Sequence, residues 1–160
     1  MVEEPGLTPP FDRLPFIDEH MSHVSAPAEA VWAVLTRTVQ TRLRIRAPMA
    51  RLLGSEPSRA SGTLPEPGSA VPGWTVADAV AGHRLVLTGR HRFSRYALIF
   101  VLADAPGGST LRVRTLAEFP GPGGRIYRTL VIGSGGHRRV VGGLVRSLAT
   151  KAASPSAASR

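Results

Sequence analysis

The last long apolar run of the chain, from Arg125 to Lys151, repeats its apolar positions at helical spacing. Ile126, Leu130, Gly133, His137, Val141, Leu144 and Leu148 recur at steps of three and four, which places them on one stripe of a helix. Val131, Val140 and Val145 widen that stripe. At about 1.5 Å per residue, a continuous helix over this run is roughly 40 Å long. A helix with one wet face needs a broad apolar surface to lie on. The preceding fifty or so residues have the period of such a surface, short strands between turns.

Those strands are expected over Trp74 to Val80, Arg84 to Gly89, Tyr96 to Ala103 and Thr110 to Phe119. In the third, Tyr96, Leu98, Phe100 and Leu102 form the bulkier face. In the fourth, Leu111, Val113, Thr115, Ala117 and Phe119 alternate with Arg112, Arg114 and Glu118, the pattern of a strand with one wet face. Ala105 to Gly108 is a turn between them, and Pro120 to Gly124 ends the last strand.

Earlier in the chain, Phe16 to Val24 reads as a first strand in which neither face is cleanly apolar. Pro27 fits the first turn of a helix, with Glu29 near its positive end and Val31, Trp32, Leu35 and Val39 on its apolar side. Thr36 to Arg46 is a basic connection. Pro48 opens a second short helix that Gly54 stops after Leu53. Ser55 to Gly73 is rich in Pro, Gly and Ser and predicts loop, with one short strand around Arg59 to Leu64. Residues 1–15, four of them proline, and the Ser/Ala tail 152–160 are expected to be flexible. Residues 16–151 are then one domain, of α+β class: a first strand, two short helices, an antiparallel run of strands and a long C-terminal helix wrapped by a curved sheet.

Composition adds three limits. A chain of 160 residues is long enough for one full core. It has no Cys, so neither disulfides nor thiolate chemistry enter. The N-terminus carries acids and prolines where a signal peptide needs a basic start and an apolar core, and no run of 18 apolar residues exists. The expected location is the cytoplasm, without a membrane span. The net charge of +9 is uneven: residues 1–66 carry −1 and residues 67–160 carry +10. A basic half can attract nucleic acid. The arginines are scattered through strands and helix, however, without interleaved aromatics, so nucleic acid is not the expected partner.

The opening strand followed by SAPAEAVWAVL, the block GRHRFSRYALIFVL and the block FPGPGGRIYRTLVIGSGGH together resemble the SRPBCC superfamily, the START-like or helix-grip proteins of polyketide cyclase/lipid-binding type. The likeness is to a bacterial branch whose function is unassigned, and it covers roughly residues 16–151. The resemblance implies a deep pocket between a curved sheet and the C-terminal helix. Members bind lipids, hormones or polyketides, and some are cyclases or aromatases. The superfamily shares no catalytic triad, so no catalytic residue is carried over.

For such a pocket the expected lining is Trp74, Tyr96, Leu98, Phe100, Thr115, Tyr127, Leu130, His137 and Val141. His137, Tyr96 and His91 are the candidate acid/base groups. His137 follows the glycines of Gly133 to Gly136, which bend a helix or let another backbone approach it. His91, Arg92, Arg95 and Tyr96 cluster at one turn; Tyr can donate to a carbonyl and Arg can hold a carboxylate. Glu118 is expected in an ion pair with Arg112, Arg114, Arg125 or Arg128. Trp32 and Trp74 are core residues, either of which could floor the pocket.

Other motifs fail. Gly133-x-Gly135-x-x-Arg138 lacks the third glycine of a dinucleotide fingerprint and no Lys-Ser/Thr follows it. His20 and His23 lie on opposite faces of a strand. With no Cys and no well-placed carboxylate, neither a metal nor another cofactor is expected. The expected function is binding of a small, largely hydrophobic molecule, by a monomer or homodimer. The alternatives are a cyclase- or aromatase-like enzyme using His and Tyr, and a ligand-free interaction module with a basic surface.

Overall fold

Short turns between apolar, β-branched strands build the sheet. A computed structural model describes residues 11–43 and 45–153. Its strands are β1 (Phe16–Val24), β2 (Ala70–Val71), β3 (Trp74–Val80), β4 (Arg84–His91), β5 (Ser94–Ala105) and β6 (Gly108–Glu118). Among the described residues they form one sheet in the order β1-β6-β5-β4-β3-β2, antiparallel throughout. The register shifts at Phe16/Asp18 and at Val76/Asp78, where bulges add curvature.

The helices are α1 (Ala28–Thr38), α2 (Ala47–Leu53), α3 (Gly121–Arg128) and α4 (Gly136–Ala153). A wider, π-type turn prolongs α1 over Val39–Leu43, and another prolongs α3 over Thr129–Gly133. The expected strand around Arg59 to Leu64 reduces to a single bridge, Ser61 to Ala70. Prolines at 57, 65, 67 and 72 withhold the ladder donors a longer strand needs.

Register places the large inward side chains opposite one another. Leu102 faces Leu111, Phe100 faces Val113, and Leu85 faces Phe100 from the other side. On this concave face they pack with Val31, Leu35 and Val39 at the α1 end and with Val141, Val145, Leu148 and Ala152 of α4. Burying such side chains contributes roughly 1.5–3 kcal/mol each and is what holds both helices to the sheet.

The convex face is covered too. Phe11 packs with Val86, Ala97, Ile99 and Leu116, and the Ala117 amide donates to the Pro15 carbonyl at 2.9 Å. The expected loose segment 1–15 is therefore packed from Phe11 onward, because the convex face carries its own apolar patch. Residues 1–10 lie outside the described residues. At the other end α4 continues to Ala153 with Ala152 buried, and residues 154–160 lie outside the described residues.

The sequence leaves open whether the glycines at 133–136 divide the C-terminal run; they do, and the long C-terminal helix is α4, preceded by α3 and its turn. Gly135 takes φ +71°, a left-handed conformation that ends a helix, and Ser134 and Gly135 separate the π-type turn from α4. The π-type turn also advances the phase relative to a 3.6-residue repeat. The stripe is broken accordingly: Val141 and Leu148 are buried, whereas Ile126 and Leu130 face outward.

Polar pairings also differ from expectation. Glu118 pairs with Arg95 at 3.3 Å, its cross-strand partner in the register. Arg114 and Arg112 turn instead to Glu19 of β1, at 3.0 and 3.9 Å.

Truncation distinguishes the two halves of the stripe. Leu148→Ala is expected to cost about 2–5 kcal/mol in urea denaturation. Ile126→Ala should cost less than about 0.5 kcal/mol. Similar losses at both positions would contradict the break at Gly135.

Candidate functional site

One end of the concave face is left open, and small residues are the reason. Along β5 and β6 the facing pairs run from Leu102/Leu111 and Phe100/Val113 to Leu98/Thr115 and Tyr96/Ala117. The β6 partner shrinks toward the C-terminal end of the strand. On the other side of β5, Tyr96 faces Gly89. A side chain at Gly89 would collide with the Gly73 carbonyl and stand 2.6 Å from Cε2 of Tyr96. The glycine therefore lets the Tyr96 ring lie across β4. There its hydroxyl donates to the Gly73 carbonyl at 3.0 Å.

Trp74 meets Tyr96 edge to face at 4.8 Å. Its indole Nε1 donates to the Leu43 carbonyl at 3.0 Å, tying β3 to the π-type turn after α1. The rings continue across the site: His91 lies 5.6 Å from Tyr96 and 4.8 Å from Tyr127, and Phe93 stacks on Tyr127 at 5.7 Å. This row connects β3, β4 and β5 to α3.

Between this aromatic row, the turn after α1, α2 and the α3–α4 elbow lies a partly open pocket of about 310 Å³. Trp74, His91, Tyr96, Leu98, Thr115, Phe119 and Tyr127 line one side. Leu43, Ile45, Leu53, Val131, Ile132, Val140, Val141 and Leu144 line the other, with Arg42 at the edge. A larger cleft of about 910 Å³ lies on the convex side. It is lined by the ion pairs of Arg90 with Glu56 and Arg95 with Glu118 and by Arg13, so it offers a poor environment for an apolar molecule.

Burial favours the neutral forms of three groups of the smaller pocket, His91, Tyr96 and Tyr127. It lowers the His91 pKa below the usual imidazole value. It raises Tyr96 well above the usual phenol value, with Tyr127 adding to the shift, and raises Tyr127 as well. The Phe93 amide donates to Nδ1 of His91 at 3.1 Å, so the neutral ring carries its proton on Nε2. The Tyr96 proton is used by Gly73. The Nε2–H of His91 and the Tyr127 hydroxyl have no hydrogen-bond partner among the described residues, and these two donors are available to a bound molecule.

Trp74, Tyr96, Leu98, Thr115, Tyr127 and Val141 from the expected lining, and His91 from the candidate acid/base groups, come together here. Phe100 does not: it is fully buried one layer deeper, against Val113. Leu130 faces solvent, for the phase reason given above. His137 falls in the first turn of α4 and its side chain lies outside those described. Arg92 is exposed, Arg95 is held by Glu118, and Trp32 packs on the main core away from the pocket.

Sequence reasoning missed Arg42, Leu43 and Ile45, because a π-type turn and a three-residue connection have no apolar period to detect, and Leu53, the last residue of the short helix α2. It also missed a polar pair on the inner face of β1. There His20 Nε2 lies 3.5 Å from an Asp18 carboxylate oxygen, the His20 ring rests beside Gly142 of α4, and Asp18 is opposite Thr115 in the ladder.

No protein-family model matches the chain, and no curated protein matches it in sequence. Solved structures do resemble it. An uncharacterised protein from Rhizobium leguminosarum is 13% identical with a TM-score of 0.56, the match covering 84% of this chain and 92% of that one. Mll3558 from Rhizobium loti is 15% identical with a TM-score of 0.56, over 84% and 94%. Ara h 8.0201 is 12% identical with a TM-score of 0.53, over 84% and 95%. At these identities the likeness shows the fold alone, and the fold is helix-grip.

The environment of His91 fixes the sign of a pH effect. Its folded pKa is below the unfolded value of about 6.5, so the unfolded chain takes up this proton first as pH falls. The stability this ring contributes is complete above pH 6.5 and declines as pH drops toward the folded pKa. His91→Gln should therefore lose less stability than the parent between pH 7 and pH 5 in urea denaturation. Equal losses would remove His91 from the buried site.

Proposed function

We propose that the domain is a member of the SRPBCC superfamily, of the polyketide cyclase/lipid-binding type, that binds a small, largely apolar molecule in the pocket bounded by Trp74, Tyr96, Tyr127 and Val141. The observation that carries this reading is the pocket itself. Its volume of about 310 Å³ lies at the lower end of small-molecule sites. Its wall is aromatic and aliphatic; His91 and Tyr127 bring unused donors to its interior, and the Arg42 guanidinium stands at its edge. Both donors are neutral, so the part of the ligand buried beside them is uncharged. Two donors suit a ligand with an acceptor oxygen, such as a carbonyl or ether. One chain contains the whole pocket, so the reading requires no second copy. It is compatible with a cytoplasmic protein, and no described helix is long and apolar enough to cross a membrane.

The titratable groups lining the pocket favour binding over acid–base catalysis. The Tyr96 hydroxyl already donates its hydrogen bond to a backbone carbonyl, and His91 accepts from a backbone amide. Neither is hydrogen-bonded to another titratable side chain, the arrangement a general base with its orienting group requires.

A neutral fluorophore, N-phenyl-1-naphthylamine, tests the reading. It should bind saturably, one per chain, with its emission rising. Leu144→Trp, which fills the pocket from α4, should weaken binding at least about tenfold while circular dichroism shows the fold intact. Undiminished binding in that variant would place the probe elsewhere and contradict the proposal. Tyr127→Phe should weaken a carbonyl-bearing ligand by about threefold to tenfold, the loss of one hydrogen bond.

A further inference from the structure

We propose that the mouth of this pocket docks on an anionic lipid bilayer, so that an apolar ligand passes between bilayer and pocket without crossing water. The inference rests on the ligand-binding reading above. The mouth is marked by Val140 and Arg42, which line the pocket and are nevertheless exposed, Val140 at 71%. On one side of it, α3 and its turn expose Ile126 at 65% and Leu130 at 67%, one helical turn apart and each next to a lining residue. On the other side, α2 exposes Met49 and, at 70%, Leu52, beside the lining residue Leu53. Five of the eight large exposed apolar side chains of the described surface thus belong to the elements that frame one opening. Scattered exposed apolar residues need no explanation, but a concentration of this kind marks an interaction site.

Charge selects the partner. No Asp or Glu occurs between Glu29 and Glu56, or after Glu118. Arg42, Arg46 and Arg51 belong to the turn after α1 and to α2 with its N-cap; Arg125, Arg128, Arg138 and Arg139 belong to α3 and the start of α4. Among the described residues none of these seven forms an ion pair, whereas Arg84, Arg90, Arg95, Arg112 and Arg114 of the sheet all do. A nucleic-acid backbone would satisfy the arginines and leave the apolar side chains facing charge. A bilayer interface satisfies both, with aliphatic side chains below the headgroups and guanidinium groups level with the phosphates. An apolar ligand also partitions into that same phase.

Flotation of the full chain with vesicles tests the proposal. Vesicles of phosphatidylcholine containing about one-third phosphatidylserine should retain the protein at least about tenfold more strongly than pure phosphatidylcholine, and added salt should weaken the binding. Arg128→Ala should weaken it about fivefold, the contribution of one basic residue near such a surface. The double variant Leu52→Glu with Ile126→Glu should weaken it at least about tenfold, while uptake of N-phenyl-1-naphthylamine in vesicle-free solution stays at the parent level. Parent protein that takes up the fluorophore but ignores anionic vesicles overturns the docking proposal and leaves the pocket reading standing. Undiminished vesicle binding by the double variant also overturns it. Parent protein that binds anionic vesicles through these residues but takes up no fluorophore supports docking and ends the pocket reading.

Discussion

The structure depends on how the concave face of the sheet is filled. Leu102, Leu111, Phe100 and Val113 are large and meet Val145, Leu148 and Ala152 of α4 in one core. That contact anchors the C-terminal helix and closes one end of the sheet. At the other end the inward residues of β6 are Thr115 and Ala117, and β4 presents Gly89. Helix α4 reaches this end only with Val140, Val141 and Leu144 of its first half, because Gly135 stops it. The chain arrives instead through α3 and a wide turn, at a different phase. Space between sheet and helices follows from this taper: large side chains where the helix is straight, small ones where it breaks.

An aromatic row then gives the space its character. Trp74 and Tyr96 turn their polar atoms toward backbone carbonyls of Leu43 and Gly73, so their rings can face the pocket without leaving a buried donor unmet. The same hydrogen bonds tie the loops around residues 43 and 73 to the sheet. His91 is held by the Phe93 amide in the tautomer that leaves Nε2–H unused. The interior of the site is largely apolar and nearly satisfied internally, with the charge of Arg42 at its edge. The proposed binding function draws on those properties.

Much of this architecture is legible in the sequence. Alternation along β5 and β6 identifies the inward faces correctly, because one face of each strand is uniformly bulky or apolar. Pro27, Pro48 and Gly54 bracket the two short helices through local backbone chemistry. Where tertiary context decides, the pattern is silent. The strand β1 has Asp18, His20 and Ser22 facing inward, so its two faces look alike in sequence. Phe11 sits among prolines with no period around it, yet it covers the convex face. The stripe from Ile126 to Leu148 counts as continuous on paper, because periodicity does not register the residues a π-type turn and a left-handed glycine insert. A continuous stripe puts Leu130 in the pocket, where Val131 and Ile132 stand instead. The pocket residues of the turn after α1 have no sequence signal at all.

The central claim is that the room between the small-residue end of the sheet and the α3–α4 elbow is occupied in the cell. Native mass spectrometry of the protein isolated from its own host tests this most directly. The account predicts a second species, heavier than the bare chain, that loses a neutral, solvent-extractable molecule on collisional activation. Bare chain alone, both as isolated and after incubation with a lipid extract of the same host, would contradict it.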